Sequence, residues 1–236
     1  MISNDVAIVT GASQGVGRAL AIGLAREGFK VAAMARSTDR LSSIAAEAGV
    51  PAASVLPIKL DLSNPQSIVD AVRCIPKEFG RLQVVVNNAG EGGAGTLDVQ
   101  LDKLTSLLNV NLVGPFKLLQ EVVPILVAEQ SGIVINIASR AGKIGFAGWG
   151  AYGASKFGLV GLSESLYREL AAFGVKVTTI CPGWIDTEMA KRGGSPLASS
   201  DMIQPEDLMK TVRWLMSLSP AACVREVVIE CRDDIE

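Results

Sequence analysis

Seven short runs of nearly unbroken hydrophobic, often β-branched residues recur along the chain, and segments of helical periodicity lie between them. The runs are VAIVT (6–10), KVAAMA (30–35), SVLPIKL (54–60), LQVVVN (82–87), GIVINIAS (132–139), VKVTTIC (175–181) and EVVIE (226–230). Strands that are apolar at nearly every position are covered on both faces, which is the pattern of a parallel sheet. Helical segments are read at 18–27, 41–48, 68–79, 112–129, 154–172 and 207–218. This alternation predicts right-handed βαβ crossovers and one doubly wound (Rossmann-type) α/β fold, a parallel sheet of about seven strands with helices on both faces.

No repeat, low-complexity tract or linker divides the 236 residues, so a single domain over 1–236 is expected. Ser63-x-x-Gln66, with Pro65 between them, reads as a capping box opening the third helix. The loosest stretch, KRGGSPLASSD at 191–201, reads as a mobile loop. It follows the sixth strand at a carboxyl end of the sheet, so a substrate lid is expected at about 187–204.

Hydrophobic residues make up 49% of the chain and charged residues 19%, which excludes a disordered chain. A net charge of −2 and no Lys/Arg-rich run argue against a nucleic-acid partner. The four cysteines have no CxxC spacing and no histidine beside them, so no metal site is expected. Reduced, mostly buried thiols in the cytoplasm are the expectation. The stretch MISNDVAIVTG shows no targeting pattern and no apolar run nears the ~20 residues that cross a bilayer, so no membrane partner is expected.

TGASQGVG, 10–17, follows the first strand and opens the first helix. Glycines there let the backbone turn tightly and approach a pyrophosphate seated on the helix N-terminus. Gly11, Ser13, Gln14, Gly15, Val16 and Gly17 are therefore candidate dinucleotide-binding residues. At the end of the second strand, where an acidic residue would bind an NAD ribose, stand Ala35, Arg36 and Ser37. A guanidinium pairs with a 2′-phosphate, so the pattern favours NADP(H) over NAD(H), with Asp39 as the residue able to serve an unphosphorylated ribose.

The chain has no histidine and two tyrosines, so proton transfer must use another group. Tyr152 and Lys156, in YGASK, are four apart at a helix start and share one face. A free phenol ionises near pH 10, about three units too high to act as a base at neutral pH. The expectation is that the Lys156 ammonium and an oxidised nicotinamide together lower the Tyr152 pKa.

TGASQGVG, NNAG (87–90), Ser139, YGASK (152–156) and PGWIDT (182–187), in this order, resemble the single-domain form of the short-chain dehydrogenase/reductase family. The resemblance runs from the first strand to about residue 218. It implies a catalytic tetrad of Asn111, Ser139, Tyr152 and Lys156: a water-holding asparagine, a serine on the substrate oxygen, the acid/base and its lysine, which also binds the nicotinamide ribose. It further implies cofactor contacts from Asp61 and Leu62 near the adenine, from Asn88, Ala89 and Gly90, and from Pro182, Gly183, Ile185 and Thr187 around the nicotinamide. Asp61 reads equally as a turn residue.

The implied activity is an NADP-dependent oxidoreductase acting on a small-molecule carbonyl or alcohol, in the direction of a carbonyl reductase. An NAD(H)-dependent alcohol dehydrogenase and a dinucleotide-sensing scaffold are the alternatives. Phe146, Trp149 and Trp184 are candidates for an apolar substrate wall. The ending EVVIECRDDIE departs from relatives that finish in Val-Asp-Gly-Gly, which speaks against their acyl-carrier chemistry. Segments 112–127 and 154–172 are apolar around much of their circumference, and the expected assembly is a homotetramer or dimer.

Overall fold

The computed structural model of the chain describes residues 5–235. Its strands are β1 (Asp5–Thr10), β2 (Lys30–Ala35), β3 (Val55–Lys59), β4 (Arg81–Asn87), β5 (Gly132–Ile137), β6 (Val175–Pro182) and β7 (Glu226–Ile229). They form one seven-stranded sheet in the order β3-β2-β1-β4-β5-β6-β7, parallel throughout. Each predicted run is a strand, with ends within two residues of those read from sequence.

The helices are α1 (Gly15–Arg26), α2 (Ile44–Ala48), α3 (Pro65–Arg73), α4 (Leu101–Leu108), α5 (Gly114–Glu129), α6 (Gly150–Leu170), α7 (Glu188–Arg192) and α8 (Pro205–Ser217). Successive strand residues point to opposite faces, and both faces are filled. On one, Ala7, Val9, Val31, Ala33, Val84 and Ile135 pack against Leu20 and Leu24 of α1 and Leu208 and Val212 of α8. On the other, Val6, Ile8, Met34, Val85 and Val134 pack against Ile68 of α3 and Leu118, Val122 and Leu126 of α5. Each of these fully buried Leu and Ile side chains contributes about 1.5–3 kcal/mol by leaving water.

Three helix readings change. The cap of α3 is Asn64, whose side chain accepts from the backbone N–H groups of Gln66 (3.0 Å) and Ser67 (3.2 Å). Ser63 is unavailable because its hydroxyl donates to Asp61 Oδ1 at 2.6 Å, and the Gln66 side chain donates to Asp70. The helix read at 68–79 ends at Arg73, and Pro76, with no N–H to continue the ladder, leads into a short 3₁₀ turn at Lys77–Phe79. The helix read from 112 begins at Leu101: α4, a π-helical turn over Asn109–Val113 and α5 run on as one 29-residue helix.

By length and composition alone that joined helix could cross a membrane. It carries the Lys117–Glu121 ion pair, and its Leu118, Leu119, Val122 and Leu126 are buried in the core under the sheet. The thiols are evenly split: Cys181 and Cys231 are buried, Cys74 and Cys223 exposed, all four free.

Candidate active site

Connections from β1 run toward β2 and β3, whereas β4 to β7 extend the sheet the other way, so the strand order reverses between β1 and β4. Their carboxyl ends therefore flank the crevice where ligands of such sheets bind. Thr10, the last residue of β1, ties the two loops there together. Its Oγ1 accepts from the N–H groups of Asn88 and Ala89, both at 3.0 Å, and its carbonyl accepts from Asn88 Nδ2 at 2.9 Å.

The glycine loop fits this junction for steric reasons. A Cβ on Gly17 would lie 2.3 Å from Gly11 O and 2.4 Å from Asn88 Nδ2, which no side chain tolerates. Gly11 (φ 70°) and Gly15 (φ 52°) adopt left-handed backbone. Gln14, the N-cap of α1, supplies no side-chain cap, and no acidic residue sits in the first turn. The free N–H groups of that turn and the positive end of the helix dipole are thus open to an anion beside half-buried Ser13 and exposed Gln14, while Val16 faces the core.

Arg36 and Ser37 stand exposed just past β2. Arg36 forms no salt bridge among the described residues, and the Ser37 hydroxyl donates to Asp39 at 3.2 Å. Asp61 Oδ1 accepts from the Ser63 hydroxyl and backbone, which hold its carboxyl below the usual range; Arg36 adds to this from a distance. Leu62 is buried in the core.

The four tetrad candidates come from three segments. Asn111 is fully buried in the π-turn. Its Oδ1 accepts from Glu91 N at 2.7 Å, and its Nδ2 donates to Glu91 O at 2.8 Å and to Ser155 Oγ at 2.9 Å. Ser139, just past β5, caps a 3₁₀ turn by accepting from Ala141 N. Tyr152 lies in the first turn of α6, where the Lys156 ammonium sits 5.8 Å from its ring centre. Lys156 is buried and donates to the Ile137 carbonyl at 3.1 Å. Gly90 leaves room for both polar groups: a Cβ there would lie 3.2 Å from Asn111 Oδ1 and 3.4 Å from Lys156 Nζ.

The expectation that Lys156 and an oxidised nicotinamide together lower the Tyr152 pKa concerns the cofactor-bound site; the protein's own groups act as follows. Burial pushes the Tyr152 phenol up, against a smaller pull from the Ser139 hydroxyl, and brings Lys156 down to about 8. Removal from water is the leading cause of both shifts, and the ammonium donates to the Ile137 carbonyl.

Ser155 and Glu91 are site residues that the sequence reading passed over. Ser155, fully buried, links Asn111 to the Tyr152 carbonyl, to which its hydroxyl donates at 2.7 Å. The Glu91 carboxylate pairs with Lys103 and accepts from Ser106 at 2.8 Å. Burial disfavours its charge, but these partners outweigh that and hold its pKa low. The signal for Ser155 was its place inside YGASK; Glu91 had none beyond following NNAG.

Beyond β6, the Pro182–Thr187 segment closes the crevice. Gly183 N donates to Ile229 O at 2.8 Å, Ile185 bridges to Ile203, and Thr187 caps α7. A Cβ on Gly15 would meet the Thr187 methyl at 3.2 Å, so this segment touches the glycine loop. The base of the segment read from sequence as a lid is fixed by Ile203 N donating to Trp184 O at 3.0 Å, whereas most of 191–201 is exposed. Trp149 and Trp184 meet edge-on at 5.9 Å, and Trp149 stands 5.9 Å from the Tyr152 ring. Phe146 departs from the expected substrate wall: its ring covers the Arg140 guanidinium at 4.8 Å, since that buried cation draws an aromatic face.

Residues 5–196 match the short chain dehydrogenase family. An uncharacterized oxidoreductase of Staphylococcus epidermidis is 31% identical over 229 residues, covering 97% of each chain. Among solved structures, a betaketoacyl-[ACP] reductase from Bacteroides thetaiotaomicron is 37% identical with a TM-score of 0.83, again covering 97% of each chain. A metagenomic short-chain oxidoreductase in complex with NADP is 32% identical, with a TM-score of 0.83 and 97% coverage of both chains. With its Rossmann-type sheet, its glycine loop at the strand-order reversal and this match over most of its length, the chain belongs to the short chain dehydrogenase family of oxidoreductases.

Proposed function

We propose that this protein is an NADP(H)-dependent oxidoreductase that interconverts a small-molecule carbonyl and its alcohol, working as a carbonyl reductase. The observation that carries the reading is the convergence of Asn111, Ser139, Tyr152 and Lys156 beside the uncapped N-terminus of α1. Exposed Arg36, free of salt bridges among the described residues, supports a 2′-phosphate, as does the similarity to an NADP-bound relative.

Residues 11–17, 61–62, 88–90 and 182–187 would hold the dinucleotide, which supplies or accepts the hydride when bound. Ser139 Oγ donates to the substrate oxygen and stabilises charge that develops there. Tyr152 gives that oxygen its proton in reduction and takes it back in oxidation. Burial holds the phenol protonated, the form that a reductase needs at the start of each turnover. The Lys156 ammonium supplies the replacement proton toward Tyr152, and Asn111 helps to hold the water that links the lysine to solvent. Exposed Val113, Phe116 and Phe157 on the joined helix and α6 support assembly of two or four copies, and four free thiols support a cytoplasmic setting.

The test is NADPH consumption over a panel of carbonyl compounds, run beside NADH. Tyr152→Phe should lower kcat about 1,000-fold while NADPH binding, read by nicotinamide fluorescence, is kept. Near-normal turnover in that variant would sink the assignment of Tyr152 as the acid/base, whereas no turnover of any carbonyl by the wild type would leave a dinucleotide-sensing role.

A further inference from the structure

We infer that the site selects compact, apolar, ring-bearing ketones over acyl thioesters and oxoacids, with Trp149 as the specificity-determining residue. The inference rests on the carbonyl-reductase reading above and names its substrate class.

Trp149 is the N-cap residue of α6, three positions before Tyr152, and its indole packs against the Tyr152 ring. The two rings are 5.9 Å apart at an interplanar angle of 73°, an edge-to-face packing that fixes the indole. Trp184, from the segment after β6, also packs edge-on against it at 5.9 Å and 79°. The lid helix α7 then closes onto this pair. A Cβ on Gly193, at its C-terminus, would lie 3.2 Å from Trp149 Cη2 and 3.4 Å from Trp184 Cζ3, so the α7 backbone comes close to both indoles and a larger residue there would press on them. At the other end of α7, Met189 reaches across to Gly92, where a Cβ would lie 3.4 Å from its Cγ. Two packed indoles therefore stand beside Tyr152, with the Met189 thioether bordering the Gly92 loop. Such groups hold an apolar ring by contact and offer nothing to a charged or extended polar chain.

Charge supports the same class. The Lys103 ammonium near Gly93 is held by Glu91. Arg140, next to Ser139, is held by Asp234 at 2.6 Å and Glu230 at 3.4 Å, under the Phe146 ring. Lys191 and Arg192 on α7 are exposed to solvent. A carboxylate or a phosphate-bearing carrier arm thus finds the cations beside Ser139 and Gly93 already occupied.

The experiment compares kcat/KM of the full-length protein, with saturating NADPH, for 1-tetralone, acetoacetyl-N-acetylcysteamine and 2-oxobutanoate. Tetralone should lead by at least about tenfold. Trp149→Ala should lower the tetralone value about tenfold, chiefly through KM, and leave the thioester value unchanged or raised; Trp149→Phe should keep the wild-type order. Gly193→Val, whose methyls enter the same contact from the lid, should also cost tetralone most and serves if Trp149→Ala fails to fold. A wild-type preference for the thioester or the oxoacid overturns the inference, as does an equal loss on all three in the variants, while leaving the reductase reading in place. No turnover of any carbonyl by wild type, with NADPH bound, overturns that reading and this inference together.

Discussion

Asn111 grips Glu91 with both ends of its amide, accepting from its N–H at 2.7 Å and donating to its carbonyl at 2.8 Å. A third bond, to Ser155 at 2.9 Å, carries the grip to the helix that bears Tyr152 and Lys156. The π-turn explains how one side chain does all three: the extra residue in that turn rotates Asn111 out of the α-helical ladder and toward the loop.

Asn111→Leu keeps the volume and removes these bonds, leaving the Glu91 N–H and carbonyl without their partner. The expected cost is about 2–4 kcal/mol of stability, with kcat down by at least about 100-fold. Urea denaturation and steady-state kinetics check this. An unchanged midpoint would show that the loop is held by something else.

Arg140 is 8% exposed at its side chain and bonded to Asp234 and Glu230 at the far end of the chain. Removing one partner strands a buried cation, whereas removing both sides of the pair is milder. Asp234→Ala should therefore lose about 2–3 kcal/mol, while Arg140→Leu combined with Asp234→Ala stays closer to wild type. Because Ser139 precedes Arg140 in the same turn, Asp234→Ala should also lower kcat. Additive losses across this double-mutant cycle would sink the coupling.

At the cofactor end, Arg36 can serve a 2′-phosphate without breaking any salt bridge among the described residues, so Arg36→Ala should leave the fold untouched. Its KM for NADPH should rise about 10- to 30-fold, with little change for NADH, as befits loss of one charge-assisted contact. Equal effects on both cofactors would remove Arg36 from the phosphate site. Asp39, which accepts from Ser37 at 3.2 Å, then makes Arg36→Ala the variant most open to NADH.

What sequence disclosed and what it hid follow from how far each interaction reaches. The strands were legible because the inner ones are apolar on both sides, as Val31 to Met34 show. The glycine loop was legible because close backbone approach excludes every other residue at position 17. Asn64 was misread since Ser63 is an equally good cap until Asp61 claims its hydroxyl. The helix start at Leu101 was missed, although Leu101, Leu104 and Leu108 keep helical spacing, because no strong cap precedes it: Gln100 makes no capping bond. Pairings between distant segments, such as Arg140 with Asp234 or Glu91 with Asn111, leave no local trace at all.

Lys156 gives a stability signature with a definite sign. Its pKa in the folded protein is about 8, against 10.5 for the free side chain, because burial penalises the ammonium. As pH rises through 8 the folded form releases this proton first, so up to 10.5 the unfolded chain holds more of it and stability rises with pH. The full penalty, roughly 3 kcal/mol, is present below pH 8 and fades toward pH 10.5. Tyr152 and Cys181, both shifted upward by burial, act in the opposite sense once their free forms ionise, so the wild-type curve alone mixes signs. The difference between wild type and Lys156→Met removes most of their contribution, leaving the Coulombic coupling of Cys181 to Lys156 as a smaller remainder. Measured by chemical denaturation, wild type should gain about 1 kcal/mol on the variant between about pH 7.5 and pH 9. A constant difference would mean that Lys156 keeps its proton throughout, held by a partner stronger than the Ile137 carbonyl.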